Sequence, residues 1–465
     1  MSTQAMASDV PEELQPISVR EKVAYGLGDV ASCIVYGSLG SFLLFFFTDI
    51  ALIPAAMAGT IVFVSRFLEA GSNVVVGVLN DRTQTKWGKC RPWLFWLAIP
   101  WGITTVLLFT VPNFDQSGRI LYAWITFNLM TTVVYSAINM PYGALASMIT
   151  RDQKERAILS VYRASFGCIS VFAVSTFTTT FVTMFGGGAA GWQRTFIMYA
   201  IISTALFYLC FLGTKERVHT VVKPGKKLKA SEGLMALAKN KYWWIMTTIN
   251  VGAASMSTLY GMNTYYARYI LQDMGYTRSM MLCATFSLII VPFLCIPFIK
   301  RFGKRNVAFY GGAWLALFGQ LILIFFGESG LAAIYSGLVL RGFGIAAITG
   351  SKFGMITDSI EYGEYVSGLR TEGLINSGAA VGIKVGSAVS SAAIGWILGY
   401  YGYVGGATAQ TEHALQGIRV LFYQAPLVVI IFMLVLIYLY KLDKEYPKVM
   451  EALAQRRAQK SQAGE

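Results

Sequence analysis

The chain has 465 residues, of which 55% are hydrophobic and 14% aromatic, while only 13% are charged, about half the charged share of a soluble globular protein. That balance excludes a soluble enzyme built around one core and reads as an all-α polytopic membrane protein, because apolar runs recur along almost the whole length with short polar gaps. The net charge of +14 does not indicate nucleic acid, since the Lys and Arg gather in the gaps on one side, as the positive-inside rule describes.

Residues 1–22 lack the basic-then-apolar order of a signal peptide and are expected to form a cytoplasmic N-terminal segment. Six spans follow, at about 23–47, 57–79, 93–111, 119–146, 157–184 and 195–212, giving an N-terminal half over 23–213. The longest basic stretch comes next and marks a cytoplasmic linker over 214–241. Six more spans, at about 242–269, 280–299, 307–326, 331–356, 374–398 and 418–440, make a second half over 242–440, with a charged tail over 441–465. The six Cys show no metal-ligand spacing, and His219 and His413 fall in loop-like stretches, so no metal and no cofactor is expected.

Orientation follows from loop charge. One set of alternate loops holds Arg82, Lys86, Lys89, Arg91, Arg151, Lys154, Arg156, the linker, Lys300, Arg301, Lys304 and Arg305, whereas the other holds few basic residues. Both termini are therefore expected in the cytoplasm. The halves also echo one another, since Trp87-Gly88-Lys89 after the second span has a counterpart in Phe302-Gly303-Lys304 after the eighth. Two such halves make an alternating-access transporter the default reading, with a purely structural repeat as the blander one.

Function in a membrane is read from charges inside apolar runs. Asp29, Arg66, Glu69, Arg163, Arg341, Lys352, Asp358 and Lys384 are such charges. Arg66 and Glu69 lie three residues apart, and Asp29 and Tyr36 seven apart, so each pair shares a helical face. A carboxylate in such a place can take up and release a proton, and Tyr36, Tyr135, Asn139, Tyr142, Asn376 and Ser377 could bind a hydroxyl-rich ligand. The bland alternatives are snorkelling to the interface for charges near span ends and a static ion-pair network holding the halves together.

Six blocks carry a resemblance: G-L-G-D-V-A-S at 26–32, F-F-F-T-D-I at 45–50, R-F-L-E-A at 66–70, L-N-D-R-T-Q-T-K-W-G-K-C-R-P-W at 79–93, Y-S-A-I-N-M-P-Y-G-A-L at 135–145 and T-D-S-I-E-Y-G-E-Y-V-S-G-L-R-T-E-G at 357–373. Over about residues 18–445 the chain resembles the glycoside-pentoside-hexuronide:cation symporter family. That implies a major facilitator fold, with 12 transmembrane helices in two pseudo-symmetric six-helix halves. It also implies import of a sugar with a cation, in a bacterial inner membrane, by a chain that is no enzyme and is expected to be a monomer surrounded by lipid.

The resemblance assigns roles residue by residue. Asp29 and Tyr36 would bind sugar, with Tyr135, Asn139, Tyr142, Arg163, Lys352, Asn376 and Lys384 also on the substrate side. The family's second-span acidic motif appears as Arg66, Glu69 and Asn73, so that one of its two carboxylates is replaced by an amide, and Gly143 stands where a Trp is expected. With one carboxylate lost, Na⁺ loses a hard ligand. H⁺ coupling through Glu69 or Asp29 is favoured, Na⁺ stays open, and an uncoupled facilitator or exchanger or a lysolipid carrier are alternatives. Asp81, Arg82, Lys89, Asp358, Glu361, Arg370 and Glu372 would form a cytoplasmic gate of charge pairs. An anionic sugar would use the excess of interior positive charge, which a neutral pentoside would not need.

Overall fold

The computed structural model describes residues 14–218, 235 and 237–462 apart from 369–371, with the backbone alone described for 353, 372–377, 379 and 456–462. The fold is helical, and one isolated bridge, Thr85 to Gly88, is the extended pairing among the described residues. All twelve expected spans are helical, most with bounds a few residues longer than the apolar runs, while α3 stops at Leu108, short of the expected 111. They are α1 (Val19–Ile50), α2 (Ala55–Arg82), α3 (Arg91–Leu108), α4 (Gln116–Ile149), α5 (Gln153–Met184), α6 (Gly188–Gly213), α7 (Lys241–Leu259, continued by Met262–Tyr265 and Tyr266–Ile270), α8 (Gly275–Phe302), α9 (Lys304–Ser329), α10 (Leu331–Ser367), α11 (Glu372–Tyr400) and α12 (Glu412–Arg419, Val420–Gln424 and Ala425–Leu439). The tail forms a further helix, α13 (Leu442–Gln462). His413, expected in a loop, sits in the first turn of α12, and His219 lies outside the described residues.

Ten of these helices, among the described residues, are long and apolar enough to cross a membrane. Of the other two, α3 carries three Trp and two Thr, and α7 carries Trp, Thr, Ser and Asn. The distribution of side chains is inverted relative to a soluble domain. Val74, Leu212 and Phe325 stand exposed while Arg66, Glu69 and Arg341 are buried, which is stable where the outer solvent is hydrocarbon.

The chain divides into two compact units. One comprises the described residues up to Val218 with Val404–Thr408, and the other the remainder. In the first, α1 packs along α5 and α6, α2 on α4, and α3 on α6. In the second, α7 packs along α11 and α12, α8 on α10, and α9 on α12. Adding six to each helix number of the first scheme produces the second, so the weak echo in sequence corresponds to a repeated packing order.

The repeat extends to the basic turns. Gly88 (φ +107°) and Gly303 (φ +84°) adopt backbone angles that disfavour a side chain. After the first, the Glu216 carboxylate accepts the N–H groups of Lys89, Cys90 and Arg91 at 2.8, 2.8 and 2.7 Å, an anion seated at the start of α3. Arg91 reaches back to the Phe211 carbonyl at 2.7 Å. After the second, Asp443 accepts the N–H of Arg305 at 2.9 Å, and Arg305 donates to the Tyr438 carbonyl at 2.9 Å. Glu216 falls within the stretch expected as linker. Residues 214–218 instead belong to the first unit, because Glu216 holds the turn and Arg217 pairs with Glu21 at 2.8 Å.

Candidate substrate and coupling site

Two charge clusters lie along α1 in the first unit. Asp29 and Tyr36 are seven residues apart, so they project from one face about 10 Å apart along the helix. Around Tyr36, helix α2 supplies Arg66 and Glu69 from successive turns. Arg66 Nη1 donates to Glu69 Oε2 at 2.8 Å and to the Tyr36 hydroxyl at 2.5 Å, while that hydroxyl donates to Glu69 Oε1 at 3.3 Å. The Tyr36 ring stacks on Tyr135 with centroids 4.1 Å apart, and the guanidinium lies 5.2 Å from the Tyr36 ring centroid. A π-helical stretch, Leu129–Tyr135, interrupts α4 immediately before its lower half. Such a turn rotates the residues that follow it and is frequent at functional sites, and here it ends on the tyrosine that stacks.

Glu69 is 0% exposed and Arg66 6%. A carboxylate this deep needs its cation and hydrogen bonds to offset the cost of burial. Arg66 Nε has no hydrogen-bond partner among the described residues, so the guanidinium retains an unused donor beside the pair.

Around Asp29 the partner is Arg163 of α5, with Nε 2.9 Å from Asp29 Oδ1. Cys33 Sγ donates to Asp29 Oδ2 at 3.7 Å. Gly167, one turn from Arg163, lies so close that a Cβ there would meet Asp29 Oδ2 at 2.3 Å, so the missing side chain is what admits the carboxylate. The Arg163 guanidinium lies 4.7 Å from the Tyr142 ring centroid, and the Tyr142 hydroxyl donates to the Tyr25 carbonyl at 2.7 Å. A Cβ on Gly143 would approach Arg163 Nη1 at 3.6 Å. Where a Trp is expected from the resemblance, glycine leaves the space that Arg163 borders. The Arg163 and Asp29 side chains keep 31% and 15% exposure, so this pair is more open than the Arg66–Glu69 pair.

Both pairs close inside one unit. Asn73 and Asn139 stand half-buried and make no hydrogen bond with the described residues, so the structure leaves their amides outside both clusters. In the second unit, Lys352 of α10 donates to Asn250 Oδ1 of α7 at 3.2 Å, and Lys384 is half-buried on α11. The side chains of Glu372, Asn376 and Ser377, and all of Arg370, lie outside the described residues.

The expected gate residues with described partners are paired within their own units. Asp81 meets Lys89 at 2.7 Å, Asp358 meets Lys304 at 2.6 Å, and Glu361 accepts from the Tyr446 hydroxyl. Arg82 is exposed. The roles of Lys304, Glu216, Asn250 and Gly167 escaped sequence reasoning. Only Lys304 had a signal, its place in the repeated Gly-Lys turn.

Residues 24–444 match the family described as MFS/sugar transport protein. The chain is 33% identical to the isoprimeverose transporter of Lactiplantibacillus pentosus, covering 99% of this chain and 98% of the relative. It is 29% identical to the glucuronide carrier protein homolog of Escherichia coli strain K12, covering 95% and 97%. In architecture it is similar to a bacterial homolog of the human lysosomal transporter Spinster, with a TM-score of 0.63 at 13% identity over 93% of this chain and 97% of that one. The repeated six-helix packing, the buried charge clusters and the match over nearly the whole length together place this multi-pass membrane protein in the MFS/sugar transport protein family of the major facilitator superfamily.

Proposed function

We propose that the protein is a secondary transporter that imports a glycoside, pentoside or hexuronide-type sugar together with a cation, H⁺ by preference, through alternating access of its two halves. The observation that carries this reading is the line of two arginine–carboxylate pairs along one face of α1. The outer pair, Asp29 with Arg163, is partly open and flanked by tyrosines, which suits hydroxyl recognition and ring stacking. The inner pair, Glu69 with Arg66, is closed and bonded to the Tyr36 hydroxyl. Tyr36 thus touches the carboxylate from the same helix that carries Asp29, a route by which sugar binding and the protonation of Glu69 can affect one another.

The choice of H⁺ rests on charge and ligand number. Na⁺ requires several oxygen ligands, whereas Glu69 is the one carboxylate of this cluster and its oxygens already accept from Arg66 and Tyr36. The relatives named as an isoprimeverose transporter and a glucuronide carrier homolog support a pentose-containing glycoside or a sugar acid as cargo. The distribution of basic loops supports an inner-membrane protein with both termini in the cytoplasm, and the two units support the division at the basic linker. The gate assignments rest on the basic turns, where Lys89 pairs with Asp81 at the end of α2 and Lys304 with Asp358 of α10.

The test is uptake of labelled glycosides into proteoliposomes under an imposed pH gradient or an imposed Na⁺ gradient. Accumulation driven by the pH gradient and abolished in Glu69→Gln is expected. Accumulation that follows Na⁺ and ignores pH overturns the H⁺ reading. Uptake that ignores both and is accelerated by internal sugar assigns an exchanger.

A further inference from the structure

A groove of about 640 Å³ opens on the second unit between α8, α9 and α10. Its lining is almost wholly apolar, from Val291, Leu294, Phe298 and Phe302 on α8 to Tyr310 and Leu315 on α9. Leu294, Phe298, Phe302 and Tyr310 are all more than half exposed. In a chain that crosses a bilayer this face meets lipid, so apolarity alone would say only that some acyl chain lies against it.

What makes the groove selective is its end. It finishes at Phe302 and Asn306, beside the basic turn. The four cations of that turn are not equivalent. Lys304 is committed to Asp358 at 2.6 Å, and Arg305 to the carbonyls of Ile437 and Tyr438. Lys300 and Arg301 are exposed and make no ion pair or hydrogen bond with the described residues. Arg301 follows Leu294 and Phe298 by seven and three residues, so it shares their face of α8. From Val291 to Phe302 the groove runs about 16 Å along that helix, roughly one leaflet of a 30 Å hydrocarbon core.

We propose that this groove is a site for an anionic phospholipid, with one acyl chain between α8 and α9 and the headgroup phosphate on Arg301 and Lys300. Arg301 and Lys300 each contribute electrostatic attraction that a zwitterionic headgroup largely cancels. On a polybasic segment such attraction amounts to about fivefold in affinity per residue, hence about 25-fold for the two. The apolar walls hold either class of lipid, and the two uncommitted cations choose between them. The site belongs to one unit and shares no residue with the charge clusters along α1.

Gly311 supplies a clean probe of the walls, because a Cβ placed there meets nothing within 4 Å. Gly311→Leu therefore starts its side chain in open space and extends it into the groove. Full-length protein is delipidated in detergent and titrated with phosphatidylglycerol or phosphatidylcholine of equal chain length, reading retained lipid by native mass spectrometry and thermal midpoint in parallel. The unaltered protein is expected to prefer phosphatidylglycerol about 25-fold. Lys300→Gln with Arg301→Gln is expected to erase the preference while keeping weak binding of both lipids. Gly311→Leu is expected to lose retention of both while eluting as a single folded species without lipid. Equal retention of the two lipids by the unaltered protein overturns the proposal. So does a preference that survives the double substitution, or phosphatidylglycerol retention unchanged by Gly311→Leu.

Discussion

The two units bury their cations in different ways. In the first, Arg66 and Arg163 each meet a carboxylate, Glu69 and Asp29. In the second, Arg341 is 2% exposed and donates to the amide oxygen of Gln320 at 2.9 Å, while Lys352 is 9% exposed and donates to the amide oxygen of Asn250. Gln320 is anchored in turn, since its Nε2 donates to the Tyr423 carbonyl at 2.7 Å in the π-helical stretch Val420–Gln424 of α12. An amide oxygen accepts a hydrogen bond without cancelling charge. The first unit is thus internally balanced at these sites and holds the groups able to exchange a proton. In the second, an amide oxygen accepts from the cation at each of these two sites.

The largest expected effect comes from breaking the balance of the first unit. Arg66→Ala leaves Glu69, fully buried, without its cation. Removing one partner of a buried pair costs about 3–5 kcal/mol, so a marked fall in the thermal midpoint of the purified protein and loss of uptake are expected. Arg66→Gln combined with Glu69→Gln removes both charges and should recover most of the stability while coupling stays absent. If the single substitution is as stable as the parent, the pair is not the electrostatic unit described here. If the double variant still accumulates sugar against a pH gradient, Glu69 is not the proton carrier.

How much of this was legible beforehand depended on sequence distance. Helical periodicity places Arg66 with Glu69 and Asp29 with Tyr36, because each pair lies within two turns of one helix. Loop charge and the Gly-Lys echo likewise exposed the two-unit plan. Which carboxylate Arg163 meets was not legible, since Asp29 lies 134 residues away and Glu69 competes for the same role. The closeness of α5 to Asp29 hangs on the absence of a side chain at Gly167, and the stacking of Tyr135 on Tyr36 follows a π-helical stretch that carries no periodic signature. Asn250 is one polar residue in an apolar run, and nothing local to it signals the contact with Lys352 of α10.

A second test sharpens the contrast through the substrate. If Lys352 serves an anionic sugar, Lys352→Ala should weaken a glucuronide by about 1.5–3 kcal/mol, the range for a hydrogen bond to a charged group, and leave a xyloside nearly unchanged. Arg163→Ala should weaken both, because it also strands Asp29. Binding of the two ligands to purified variants distinguishes these outcomes. An equal loss for both ligands in Lys352→Ala would assign that lysine to structure and return the choice between anionic and neutral sugar to Lys384.

The smallest effects concern the two basic turns, where the same device appears at different strength. Glu216 accepts three consecutive N–H groups at the start of α3, whereas Asp443 accepts one, from Arg305, at a distance of 2.9 Å. A Gln at 216 keeps one acceptor oxygen but places an NH₂ against amides that also donate, so at least one N–H is left without its partner, at about 1–3 kcal/mol. Asp443→Asn can present its oxygen to the lone N–H and its NH₂ to water, so about 1 kcal/mol or less is expected. Arg91 and Arg305 fasten their turns to the ends of α6 and α12, which keeps either variant folded enough for measurement. Hydrogen exchange read at the amides of 89–91 and 305 should show protection falling further in the first turn than in the second. Equal losses would mean that the arginine contacts to the helix ends hold these turns and that the carboxylates only decorate them.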